Sequence, residues 1–165
     1  MENWEFATAG SLLAGLGATL IMDIVALVQN RLFGTVSLDY ALVGRWVGHM
    51  PAGRFRHPQI AAAAPVRGER PLGWAVHYAT GAGIALLLSL IAGPGWLSAP
   101  RPLPVILFGT ASVLLPWLIL QPAFGLGLAA ARTPSPGIAR LRNLRTHTVF
   151  GIGLWLSATA LSRLC

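Results

Sequence analysis

Apolar residues gather along the chain into four runs, at about 7–28, 72–92, 103–131 and 144–161. Each is near the roughly 20 residues that a helix needs to cross a bilayer. The pattern predicts an all-α polytopic membrane protein: four transmembrane helices in an antiparallel bundle, forming one domain over 1–165. The first connection is too long for a simple turn. Within it Leu38, Leu42, Trp46 and Met50 recur every four residues, Val43 and Val47 widen the stripe, and Pro51 ends it. Ser37 stands where an N-cap would, so a short amphipathic helix is expected in the cytoplasmic interface, anchored by Trp46. The alternative is a helix packed across the mouth of the bundle. Ser135-Pro136 reads as an N-cap with proline at the first helical position, which starts the last helix near Gly137. Trp4 and Trp96 are expected at the outer interface.

Composition agrees with this class. Hydrophobic residues make up 55% of the 165 and charged residues only 10%, against about 25% charged in globular proteins. The net charge of +7 comes from Arg alone, and its placement is informative. Arg31, Arg45, Arg54, Arg56, Arg67 and Arg70 lie between the first two runs, and Arg132, Arg140, Arg142 and Arg145 between the last two. By the positive-inside rule both connections face the cytoplasm and both termini the outside. Arg54, Arg56, Arg140, Arg142 and Arg145 then meet anionic lipid headgroups, and nucleic acid is not needed to explain the basic charge. The first run lacks a basic leader and exceeds the 7–15 residues of a signal-peptide core, so it reads as an anchor with Glu2 and Glu5 outside. Cys165 has no cysteine partner, and no Cys/His metal spacing is present. His49 and His57 read as interfacial residues.

Polar groups inside the runs carry the functional signal. Asp23 lies about 8 Å from the inner end of the first run at 1.5 Å per residue. A carboxylate at membrane depth costs roughly 2.5–3.5 kcal/mol. His77, Gln121 and His147 sit at similar depth in the other three runs. Each also lies on a stripe of small residues: Ser11, Gly15, Thr19 and Asp23; Gly73, His77, Gly81 and Ala85; Gln121 and Gly125 after Trp117; Asn143, His147 and Gly151. Such stripes face other helices, so Asp23, His77, Gln121, His147, Thr19 and Tyr78 form the candidate binding set. Pro116 and Pro122 withdraw amides from the carbonyls of Ser112 and Leu118, and interrupted membrane helices often line cavities.

The run Gly15-Leu-Gly-Ala-Thr-Leu-Ile-Met-Asp23, with Gly44-Arg-Trp-Val-Gly-His-Met50, Gly73-Trp-Ala-Val-His-Tyr78, Gln121-Pro-Ala-Phe-Gly-Leu-Gly127 and Thr146-His-Thr-Val-Phe-Gly151, resembles a family of bacterial four-helix inner-membrane proteins. That family is catalogued as a domain of unknown function. The resemblance covers nearly the whole chain and implies a bacterial inner-membrane location, without an activity. Three chemistries compete for the polar set. The first is transport or binding of an ion or small solute, with Asp23 and the imidazoles handling protons or a cation. The second is a haem or a divalent metal on His77, His147 and Asp23. The third is acid–base catalysis on a lipid-soluble substrate, which no Ser-His-Asp or paired-carboxylate pattern supports. The structural alternative is interhelical glue, for example Asp23 with His77. The first reading is preferred, in a homo-oligomer, because four helices enclose little volume.

Overall fold

The computed structural model describes residues 4–35 and 37–163. Glu2 and Cys165, expected on the periplasmic side, lie outside the described residues. Among these residues every regular element is helical. Helix α1 spans Trp4–Phe33, α2 Tyr40–His49, α3 Glu69–Ala92, α4 Pro102–Ala111, α5 Gln121–Ala123 and α6 Pro136–Ser162. A π-helical segment, Pro116–Leu120, joins α4 to α5. Three helices are long and apolar enough to cross a membrane: Trp4–Phe33, Glu69–Ala92 and the composite Pro102–Ala123. The expected fourth span lies within α6, a continuous helix that is not among the three. Arg145, Thr146, His147, Thr148, Ser157 and Thr159 dilute its apolar content.

The chain divides into two compact units. One comprises 1–37, 78–112 and 145–165, the other 38–77 and 113–144. In the first unit the buried face of α1 is small and polar: Ser11, Ala14, Gly15, Ala18 and Thr19 are all buried. Its large apolar side chains point outward, with Leu13 57% and Leu20 51% exposed. A water-soluble helix shows the opposite arrangement, whereas membrane helices bury small residues to approach closely. That inversion agrees with the helix lengths in fitting a membrane protein. At the tightest contact a Cβ on Gly15 would stand 2.5 Å from the Gly81 carbonyl, and one on Gly81 would overlap the Thr19 hydroxyl. A second seam joins α4 to α6, where a Cβ on Gly151 would lie 2.5 Å from the Ile106 carbonyl. Trp96 is buried in this unit's core and donates to Ser11 Oγ at 3.2 Å. It is a core residue, not an outer-interface anchor, because Ser11 offers its indole N–H a buried partner.

The second unit is built around α2. The cap of α2 is Asp39, whose Oδ1 accepts from Ala41 N at 3.0 Å, in place of the expected Ser37. Its stripe packs on protein: Val43 is buried with Ile60, Ala123 and Phe124. Gly44 and Gly73 bring α2 against the start of α3, since a Cβ on either would overlap a backbone carbonyl. Arg45 then grips Glu69 with both arms, at 2.9 and 2.8 Å, and its remaining nitrogen reaches the Ala61 and Ala63 carbonyls at 3.1 and 3.2 Å. Trp46 donates to the Phe55 carbonyl at 2.9 Å. The helix is therefore held by protein partners, and its apolar stripe is not simply laid on lipid.

Candidate functional site

The third apolar helix is interrupted where the sequence places its prolines. With no amide on Pro116 or Pro122, the ladder widens: Gln121 N–H reaches back to the Pro116 carbonyl, a five-residue step. The helix then ends at Ala123, eight residues before the apolar run does. Gly125 and Gly127 take φ of 86° and 75°, and Ala129 and Ala130 follow at 45° and 60°. Left-handed alanines are strained, and such strain gathers at functional sites. The carbonyls freed at the helix end are claimed by the first connection: His57 N–H donates to Ala123 at 2.8 Å and Ile60 N–H to Phe124 at 3.3 Å.

Gln121 is 8% exposed. Its Nε2 donates to Oδ1 of Asn143, which also accepts from Trp117 Nε1 at 3.3 Å, while Asn143 Nδ2 donates to the Ala139 carbonyl at 3.2 Å. Gln121 Oε1 is buried without a hydrogen-bond partner among the described residues. Most buried acceptors in proteins are satisfied, so an orphaned one points to a missing donor or ion.

The remaining sequence candidates divide between the units. In the first, Asp23 accepts a hydrogen bond from Tyr78. Thr19 turns its hydroxyl back to the Gly15 carbonyl at 2.9 Å. His147 Nδ1 lies 2.7 Å from Ser112 Oγ, which in turn is 2.6 Å from the Gly109 carbonyl. If the single hydroxyl proton goes to that carbonyl, His147 must donate from Nδ1, which places the lone pair of a neutral ring on Nε2. In the second unit, which also holds Gln121, His77 stacks on Tyr40 with centroids 4.1 Å apart, and Tyr40 lies against Trp74 at 4.5 Å. Among the described residues no group of three or more His, Cys, Asp or Glu side chains is placed to hold a metal ion.

A cleft of about 440 Å³ opens in the second unit, lined by Arg56, His57, Gly125, Gly127, Leu128 and Arg132 among others. Sequence reasoning missed it, reading His57 as interfacial and Arg56 as a headgroup ligand. The available signal was a His-Pro pair in a basic turn, together with Gly-Leu-Gly just beyond Pro122. His57 is buried. That burial, followed by the nearby charges of His49 and Arg54, holds its pKa below the ordinary value. Of the other expected headgroup ligands, Arg140 donates to the strained Ala129 carbonyl at 2.8 Å, and Arg145 lines a small crevice with Met22 and Gln29. Arg54 is exposed.

The family model described as "Protein of unknown function (DUF2938)" matches residues 12–161. The chain belongs to that family. The DUF2938 match takes in every candidate from Thr19 to His147, as well as the cleft. No curated protein and no solved structure matches the chain. Membership in DUF2938 therefore brings no chemistry of its own, and function has to be argued from the side chains.

Proposed function

We propose that the protein binds or transports a small solute or ion within the bacterial inner membrane, with the interrupted third helix as its binding element. The carrying observation is Gln121, whose buried Oε1 has no donor among the described residues at the point where the helix loses its regular ladder. A lone acceptor in a broken membrane helix suits a cation or a ligand N–H or O–H group. Asp23 with Tyr78, and His147 with Ser112, are groups that could accept or release a proton during such a cycle. In this reading α6 is the fourth span of an antiparallel bundle, both termini are periplasmic, anionic lipids meet the exposed arginines, and the working form is a homo-oligomer.

The test uses the purified full chain in mild detergent. Melting temperature is measured against increasing sodium, potassium, ammonium and methylammonium chloride. A ligand at a hundred times its Kd stabilises by about 2.7 kcal/mol. At least one salt is expected to give a saturable rise that Gln121→Leu abolishes while the variant still folds. No saturable rise in the wild type, or an equal one in Gln121→Leu, overturns the reading. A Soret band or a stoichiometric metal in the same preparation would replace it with the haem or metal alternative.

A further inference from the structure

The cleft in the second unit sets two arginines and a histidine among proline, glycine and leucine, and the argument stands apart from the solute reading above. Arg56 and Arg132 both line it, and both are exposed. Neither guanidinium has a carboxylate partner among the described residues, where the ion pair is Arg45 with Glu69. Among the described residues no acidic side chain lines the cleft. Asp39 is occupied in capping α2, and Glu69 is held by Arg45. Two planar guanidinium groups on one cleft suit an acceptor with several oxygens. The volume of about 440 Å³ falls within the ~300–1,000 Å³ typical of small-molecule sites.

His57 supplies the second, independent observation. It is 8% exposed and lines the cleft, and its Nε2 is buried with no hydrogen-bond partner among the described residues. The imidazole also makes a hydrogen bond to the Arg54 backbone. With Nε2 unpartnered, that bond falls to Nδ1–H and the carbonyl oxygen. Nε2 of the neutral ring then carries a lone pair, buried at the wall of a cleft that Arg56 and Arg132 also line. An oxyanion can approach that nitrogen only with one proton between them. A phosphate monoester has a second pKa near ~6, so its monoanion brings that proton as P–OH. Sulfate carries no such proton at neutral pH.

The backbone is shaped for the same task. Gly125 must be glycine, because its φ is 86° and a Cβ would overlap the Pro58 carbonyl. The left-handed residues Ala129 and Ala130 are held by Arg140 on the Ala129 carbonyl and by Arg132 N–H on the Leu126 carbonyl at 2.8 Å. The negative end of the preceding helix would oppose an anion, but His57 and Ile60 amides already cover its Ala123 and Phe124 carbonyls.

We propose that this cleft binds a phosphate monoester, either a free phosphorylated solute or the headgroup of a phosphomonoester lipid. The full chain, delipidated in mild detergent and kept in phosphate-free buffer at pH 7, is titrated with inorganic phosphate or with sodium sulfate at matched ionic strength. Parallel mixed micelles contain phosphatidic acid or phosphatidylglycerol, and melting temperature is the readout. A saturable rise with phosphate assigns a soluble ligand. A rise only with phosphatidic acid assigns the lipid headgroup. Arg56→Gln and Arg132→Gln, at exposed positions compatible with folding, are each expected to weaken the response about tenfold, with Arg163→Gln unchanged. Sulfate matching phosphate, phosphatidylglycerol matching phosphatidic acid, Arg variants behaving as wild type, or no saturable response to either phosphomonoester would overturn the proposal.

Discussion

Replacing Gly81 with alanine should damage the first unit through a single atom. The new Cβ would overlap Thr19 Oγ1, while its next neighbours, the Gly15 carbonyl and Thr19 Cβ, stand at 3.2 and 3.3 Å. Thr19 is 1% exposed, and its hydroxyl is bonded to Gly15 O at 2.9 Å. Relief therefore requires either a new Thr19 rotamer, which breaks that bond, or separation of α1 from α3. Overpacking of this kind costs about 1–3 kcal/mol. Thr19→Ala alone loses one modest hydrogen bond and some packing, about 0.5–1.5 kcal/mol. In the double variant the clashing oxygen is gone and only two tight contacts remain. The pair should then lose little more than Thr19→Ala does, a favourable coupling of about 1–2 kcal/mol. The assay is unfolding in mixed micelles by titration with sodium dodecyl sulfate, followed by tryptophan fluorescence. Gly83→Ala is an internal control: no atom lies within 4 Å of its Cβ, so it should be neutral or gain up to about 1 kcal/mol from helix propensity. Losses at Gly81 and Thr19 that add within about 0.5 kcal/mol would refute the contact.

Arg45→Lys should free the 59–66 connection, because lysine cannot reproduce the two-armed grip on Glu69 together with the bonds to Ala61 and Ala63; limited proteolysis should show faster cleavage there, and an unchanged digest would contradict it. His57 has a folded-state pKa below 6.5, lowered first by burial and then by His49 and Arg54. Above 6.5 the residue is neutral in both states. As pH falls below that value the unfolded chain binds the proton more readily, and stability is lost until the folded-state pKa is passed. Melting temperature in phosphate-free buffer should therefore fall between pH 7 and 5, and less steeply in His57→Asn; parallel curves would count against the burial argument. Reporter fusions at residues 60 and 137 should behave as cytoplasmic, and a periplasmic signal from both would reverse the proposed orientation.

Much of this fold is legible in residue spacing. The small stripe Ser11, Gly15, Thr19 marks the buried face of α1, and Ser135-Pro136 marks the start of α6. Asp39 took the α2 cap from Ser37 because a carboxylate two residues before Ala41 could reach its amide. The third helix was harder to delimit. Pro116 and Pro122 announce a disturbance, but Leu126, Leu128 and Ala129 continue the apolar run past the point where the helix unwinds. Nothing local to residues 124–131 says that amides from residues 57 and 60 will cap the helix end. The cleft is invisible for the same reason. It arises when a basic turn docks on a segment almost seventy residues away, and in isolation such a turn looks like a headgroup ligand. Asp23 could be singled out by its charge at membrane depth, but its bond to Tyr78 depends on how α3 packs against α1.

The central claim is that the interrupted third helix presents Gln121 to a water-accessible path, and does not merely tie helices together. Thiol labelling tests it without knowledge of the ligand. In a Cys165→Ser background, Gln121→Cys and Leu118→Cys are placed in sealed inverted membrane vesicles. Both are treated with a charged, membrane-impermeant methanethiosulfonate reagent from the cytoplasmic side. Leu118 is 56% exposed, an exposure that the proposed arrangement assigns to lipid, whereas Gln121 is 8% exposed. The account predicts that the buried position reacts and the exposed one does not. Silence at Gln121 in a folded protein, or reaction at Leu118 as fast as at Gln121, would contradict it.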